Sequence, residues 1–253
     1  MRVLNILLLL ALFIFPQYSF GSDESHLFQK GNEYYKLKQY EKAIDAYKEI
    51  LDRGFESPEI YLNIGNAYFR LGKIGYSVLY FERGRRLDPG DGDLNHNLAF
   101  ANSRTTDKIE TLPGIFLFQW WESIISVFSI TGWTVVFYIL FLLLLTSLGL
   151  FFLARDAAVN RISFFSGIVL VVFLLLNTAV LISRVNTENS EKYAVIMPPS
   201  VIVKSSPDKE SVDSFIIHEG LKVSIEDKVE NWYRLRLEDG KSGWVQKDAF
   251  EFI

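Results

Sequence analysis

Two uncharged apolar runs, residues 134–153 and 162–182, constrain this chain more than any other feature of its sequence. Each is dominated by Leu, Phe, Val and Ile and is close to the ~20 residues that a helix needs to cross a hydrocarbon core of ~30 Å. At a few tenths of a kcal/mol gained per such residue, insertion of one run is favoured by roughly 5 kcal/mol. Backbone polar groups in lipid must bond within their own segment, so each run is expected to be a helix and the pair a hairpin. Arg155, Asp156 and Arg161 in the connection predict a cytoplasmic loop, although Arg184 beyond the second run weakens that asymmetry. A third, shorter run follows Arg2 from Ile6 to Phe15 and ends in Ser19, Phe20 and Gly21, the layout of a secretory leader over residues 1–21. It predicts that Ser22 onward lies outside the cytoplasm. Just before the first span, Leu117, Trp121, Ile125 and Phe128 fall on one helical face and Gln119, Glu122, Ser126 and Ser129 on the other. That pattern fits an amphipathic helix in the membrane interface or one packed on its neighbours.

Between the leader and the spans, residues recur at a fixed offset. Gly31 matches Gly65, Tyr34 matches Tyr68 and Tyr47 matches Phe81, each pair 34 residues apart. Tyr61, Ile64, Gly72 and Pro89 complete the second unit, while Leu27, Tyr40 and Ala43 serve the first, with Ser77 at the position of Ala43. Small residues at these places let two antiparallel helices approach, and the aromatic residues fill the space between neighbouring pairs. The pattern is similar to the tetratricopeptide repeat (TPR). With a capping helix over residues 93–103 it gives about the minimum number of units that can bury a continuous core.

The resemblance implies a concave groove, lined by the first helix of each pair, that takes extended peptides. The candidate groove residues are Asn32, Lys36, Asn63, Asn66, Arg70 and Arg104. Asn32 and Asn66 are equivalent, as are Lys36, Arg70 and Arg104. Asn32 and Asn63 match the backbone-binding asparagines of the carboxylate-clamp subfamily, but Phe28, Asp93 and Asn97 replace its cations. The three basic residues read either as a binding ladder or as ordinary solvated helix positions.

After a polar linker the pattern changes to short segments broken by turn residues, with strands expected over residues 201–204, 221–225, 232–237 and 243–245. Glu238, Asp239 and Gly240 form a tight turn. Val201 to Pro207, then His218, Glu219 and Gly220, Asn231 and Trp232, Asp239 and Gly240, and Gly243, Trp244 and Val245 together resemble the bacterial SH3 domain. This implies a small SH3-like barrel over residues 193–253, expected to fold without a partner surface. Trp244 and Tyr233 are expected in its core and Trp232 on its surface.

A formal net charge of −4, from 26 Lys and Arg against 30 Asp and Glu, leaves no basic footprint for nucleic acid. With no cysteine among 253 residues, disulfides, thiol catalysis and cysteine-based zinc sites are excluded. His26, His96 and His218 are scattered, and no phosphate loop, dinucleotide fingerprint or nucleophile elbow is present. The expectation is a protein without catalysis, metal or cofactor.

The fold class expected is therefore multidomain. It comprises a leader (1–21), an all-α repeat module (22–104), a linker with the interfacial helix (105–133), two spans (134–153 and 162–182) around a loop (154–161), a linker (183–192) and the SH3-like module (193–253). This order, with Asp107, Lys108, Ile109 and Glu110 leading through Leu112 and Pro113 to Trp120, resembles the BatE family of bacterial Bat aerotolerance operons. The resemblance implies an envelope scaffold in the bacterial inner membrane, with both soluble modules on the periplasmic or outer side. Its partners would be membrane proteins with von Willebrand A domains, a MoxR-type ATPase and membrane lipid. The alternative is an anchor that binds peptidoglycan through the SH3-like module.

Overall fold

The 34-residue period becomes a stack of antiparallel helices: α1 (Ser22–Lys36), α2 (Tyr40–Asp52), α3 (Pro58–Arg70), α4 (Ile74–Leu87) and α5 (Gly92–Arg104). The computed structural model describes residues 22–109, 116–190 and 192–253. The expected leader and the junction residues Glu110, Leu112 and Pro113 lie outside them. Each pair closes where glycine meets an aromatic ring. A Cβ on Gly31 would stand 2.4 Å from the Tyr47 ring, and one on Gly65 would stand 2.5 Å from Phe81. Ser77 uses its place between helices differently from Ala43, donating its hydroxyl to the Gly65 carbonyl at 2.9 Å and so satisfying itself where it is buried. Helix starts are written locally. Ser57 accepts from the Ile60 amide ahead of Pro58, and Asp91 accepts from the Asp93 and Leu94 amides. Gly72 turns the chain between α3 and α4 at φ +73°, and the equivalent residue in the first pair, Lys38, takes the same left-handed region at φ 59°. A residue with a Cβ does this at a cost of about 1–2 kcal/mol.

Beyond α5 come α6 (Phe116–Ile125), α7 (Ile130–Leu153) and α8 (Ala157–Ser190). α7 and the Ala157–Asn186 part of α8 are long and apolar enough to cross a membrane, and they expose rather than bury their large side chains. Residues 154–156 suffice for the turn between them, where Asp156 accepts from the Ala158 amide at 2.7 Å. Arg161, expected in the loop, is thus in the first turns of α8, and the expected linker after the span is helical to Ser190. Small residues bring α7 and α8 together. Ser147 donates to the Ser163 carbonyl at 2.7 Å, lies 2.9 Å from the Ser166 hydroxyl and sits beside Gly167. Residues 128–186 make up the described part of one compact unit.

The second unit joins the described residues of 20–127 with those of 187–253. Its C-terminal part is one antiparallel sheet of seven strands, in the order β3 (Asp213–His218), β2 (Ser200–Lys204), β6 (Ser242–Gln246), β5 (Trp232–Arg236), β4 (Lys222–Val229), β1 (Lys192–Ile196) and β7 (Phe250–Phe252). All four expected strands are there, and β1, β3 and β7 are additions. The sheet is open, with β3 and β7 as its edges, so the expected barrel closure is not seen. Edge strands invite unwanted pairing. β3 is blunted by a register shift opposite Val203 and Lys204, and by Asp107, whose carboxylate accepts the His218 amide at 2.7 Å and meets its ring Nδ1 at 2.8 Å.

The sheet also packs on the repeat. Gly75, Glu82 and Arg86 lie at i, i+7 and i+11 on one face of α4. The Gly75 amide donates to Glu219 at 2.8 Å, while Arg83 and Arg86 donate to the backbone oxygens of Phe252 and Ile253 at 2.7 and 3.1 Å. Glu82 is 5% exposed and holds Lys222 of β4 at 3.0 Å and Arg85 at 2.8 Å. Val195 of β1, wholly buried, belongs to the core of the helical repeat.

Gly65→Ala should lower stability by about 1–3 kcal/mol through the forced displacement of Phe81. Urea denaturation in detergent checks this, and an unchanged midpoint would mean that α3 and α4 have room to spare.

Candidate functional site: amide pairs along the first helices

The first helices of the successive pairs, α1, α3 and α5, bring the predicted asparagines together. Asn63 donates its amide to Asn32 Oδ1 at 3.3 Å, and Asn97 donates to Asn66 Oδ1 at 3.0 Å. Both pairs bridge 31 residues, and Asn32/Asn66 and Asn63/Asn97 are each related by the 34-residue period. Asn97, met in the sequence as a departure from the carboxylate clamp, is therefore the second copy of Asn63. The Tyr47 hydroxyl adds a further bond to Asn32 Oδ1 at 2.7 Å. With the oxygen of Asn32 engaged twice, its Nδ2 hydrogens remain as donors, and Asn63 keeps Oδ1 as an acceptor. A half-buried row of alternating amide donors and acceptors matches the polar groups of an extended backbone.

The three cations hold a second, shared position. Lys36, Arg70 and Arg104 are the last residues of α1, α3 and α5, and all are exposed. Cations there complement the helix dipole, which gives the recurrence a structural cause. Arg70 donates to the Tyr35 phenol, a bond that raises the guanidinium pKa, and Arg104 lies 5.4 Å over the Phe100 ring.

On the sheet, strand parity decides which aromatic residues face out. In β6, Gly243 and Val245 point inward, so Trp244 projects outward and is only half-buried, correcting its expected place in the core. The core is filled by Val203, Leu235, Val245, Phe250 and Tyr233, the last as expected. Gly243 is required there because a Cβ would stand 2.5 Å from Val203. Register pairs Trp232 with Gln246, and Trp244 with Arg234 and Lys204, which puts both indoles on one face as diagonal neighbours. Trp232 lines a cleft of about 340 Å³ with Ile202, Lys204, Lys209, Gln246 and Asp248. Among the described residues no cluster of His, Asp and Glu has a metal-binding arrangement, and His26, His96 and His218 stand in α1, α5 and β3.

Burial holds the phenols of Tyr47 and Tyr61 well above the ordinary range, and Glu56 adds to the effect on Tyr61. Their folded pKa values exceed the unfolded value of ~10, so the stability they contribute is complete below about pH 10 and is lost as the pH rises beyond it. Urea midpoints should be level from about pH 8 to pH 9.5 and fall above that, and Tyr47→Phe should flatten part of the fall. A midpoint that stays level as the pH rises well beyond about 10 would place both phenols in water.

Residues 31–72 match the family model described as TPR repeat, and residues 58–91 match the one described as Tetratricopeptide repeat. No curated protein matches the chain. The helical stack of the second unit thus carries TPR repeats, a class of module that serves protein–protein interaction.

Proposed function

We propose that this chain is a membrane-anchored envelope scaffold that binds an extended, acidic segment of a partner protein along α1, α3 and α5. The observation that carries this reading is the repeated pair of amides, Asn32 with Asn63 and Asn66 with Asn97. Asparagine amides can both donate to and accept from a peptide backbone, and Lys36, Arg70 and Arg104 favour acidic side chains beside it. Because residues 20–127 and 187–253 pack as one unit, two spans inserted between them return the chain to the side it left. In this reading that side is the periplasmic or outer one and the hairpin is the anchor. The resemblance to BatE-type proteins supports partners with von Willebrand A domains and a MoxR-type ATPase, in an aerotolerance or envelope-stress complex.

A second reading is favoured by the half-exposed indole of Trp232 in its cleft, beside Lys204 and Lys209. It makes the sheet an open SH3-like module that binds peptidoglycan. Isolated sacculi distinguish the two, since a wall anchor sediments with them and loses this on Trp232→Ala, whereas a scaffold retrieves membrane proteins instead.

Lys36→Gln, Arg70→Gln and Arg104→Gln together should reduce partner recovery from native membranes by on the order of tenfold. Glutamine rather than glutamate avoids placing an anion at three helix C-termini. Wild-type recovery in low salt by a normally folded triple variant would reduce the cations to their role at the helix ends.

A further inference from the structure

The expected apolar face of α6 is not the face left open. Ile125 is 5% exposed and Trp121 is half-buried, so these two positions are covered, whereas Phe128, just beyond the helix, is 44% exposed. The end of α6 is also held against the turn after α4, where a Cβ on Gly90 would stand 3.0 Å from the Val127 carbonyl oxygen. A different side is bare. Phe116 and Trp120, one helical turn apart, are 72% and 63% exposed, and Val127 is 53% exposed. Such an exposed row of large apolar side chains needs a cover. The chain supplies a reason for a particular one, because only Phe128 and Ser129 separate Val127 from the start of the α7 span at Ile130.

Resting on the membrane-anchor reading above, we infer that α6 lies in the membrane–water interface with Phe116 and Trp120 turned into the lipid. It would thus be a two-sided helix, clamped to the protein through Ile125 and to the bilayer through its opposite side. Tryptophan is suited to this depth because its ring is apolar and its N–H remains near the headgroups. The lipid class follows from charge. From Ile109 to Ala154 there is no Lys or Arg, and the only charge within α6 is Glu122. Interfacial helices that select anionic lipid carry Lys and Arg on the polar face. This one is held by apolar contact alone and takes zwitterionic lipid.

The absence of cysteine allows single environment-sensitive fluorophores to be placed at Trp120→Cys, Phe116→Cys, Glu122→Cys and Leu148→Cys in the full chain, reconstituted in phosphatidylcholine nanodiscs. Labels at positions 120 and 116 should emit blue-shifted and be quenched by shallow-doxyl phosphatidylcholine, while the label at 122 should be quenched by aqueous iodide. Replacing a third of the lipid by phosphatidylglycerol should leave these signals unchanged. Leu148 in α7 is the control and should be quenched by deep-doxyl lipid. If positions 120 and 116 are both reached by iodide and spared by doxyl lipid while Leu148 responds, the interfacial placement is wrong. If Leu148 also fails to respond, the membrane anchor itself is wrong. Lipid quenching at position 120 that needs phosphatidylglycerol would overturn the lipid class.

Discussion

Glu82 sits 5% exposed on a helix of the repeat with its carboxylate divided between Arg85, three residues on, and Lys222, which the chain reaches only after both apolar helices. Taking a carboxylate out of water costs several kcal/mol even after relaxation, and the cost is offset only when its partners arrive with good geometry. Arg85 is local and always at hand. Lys222 is not, so the repeat is complete only once the sheet has docked on α4. The surrounding bonds, from Gly75 to Glu219 and from Arg83 and Arg86 to the backbone of Phe252 and Ile253, follow the same face of the helix. Val195, inserted in the repeat's own core, adds the apolar part of the joint.

This joint explains how so short a solenoid can stand. Two helix pairs and α5 are close to the fewest units that bury a continuous core, and a repeat stack needs its ends covered. α5 exposes the polar Asn95, His96 and Asn102, along with Phe100 at 47%. α4 has instead a buried carboxylate and a glycine on the face that the sheet covers. Docking there leaves α1, α3 and α5 to present the amide pairs and the three terminal cations. The apolar hairpin is thus inserted in the sequence of a single compact unit rather than joining two independent ones.

How much of this could be read in advance depends on whether the determinant was local. The 34-residue spacing of Gly31 with Gly65 and Tyr47 with Phe81 predicts the helix pairs, because the close approach it encodes is a contact within each unit. The same period also contains Asn97, whose role was obscured only by comparing it with a clamp that has a cation there. Trp244 misled because size argues for the core, whereas alternation with Gly243 and Val245 argues against it, and parity prevails in a strand. α6 carries apolar residues on two sides, Phe116 and Trp120 against Trp121 and Ile125, and periodicity alone does not say which side the protein covers. Glu82 and Lys222 lie 140 residues apart and are of types that usually face water, so their pairing leaves no trace in the sequence.

That the segments on either side of the hairpin form one unit can be tested by covalent capture. Arg86→Cys and Ile253→Cys would be introduced into the cysteine-free chain together with a protease site in the 154–156 turn, and native membranes treated with a short bismaleimide before cleavage. The two halves should then migrate as one linked species in denaturing gels, and as two when either cysteine is omitted. Halves that separate despite full labelling of both cysteines would show that the sheet does not rest on α4, and the single-unit description would fail.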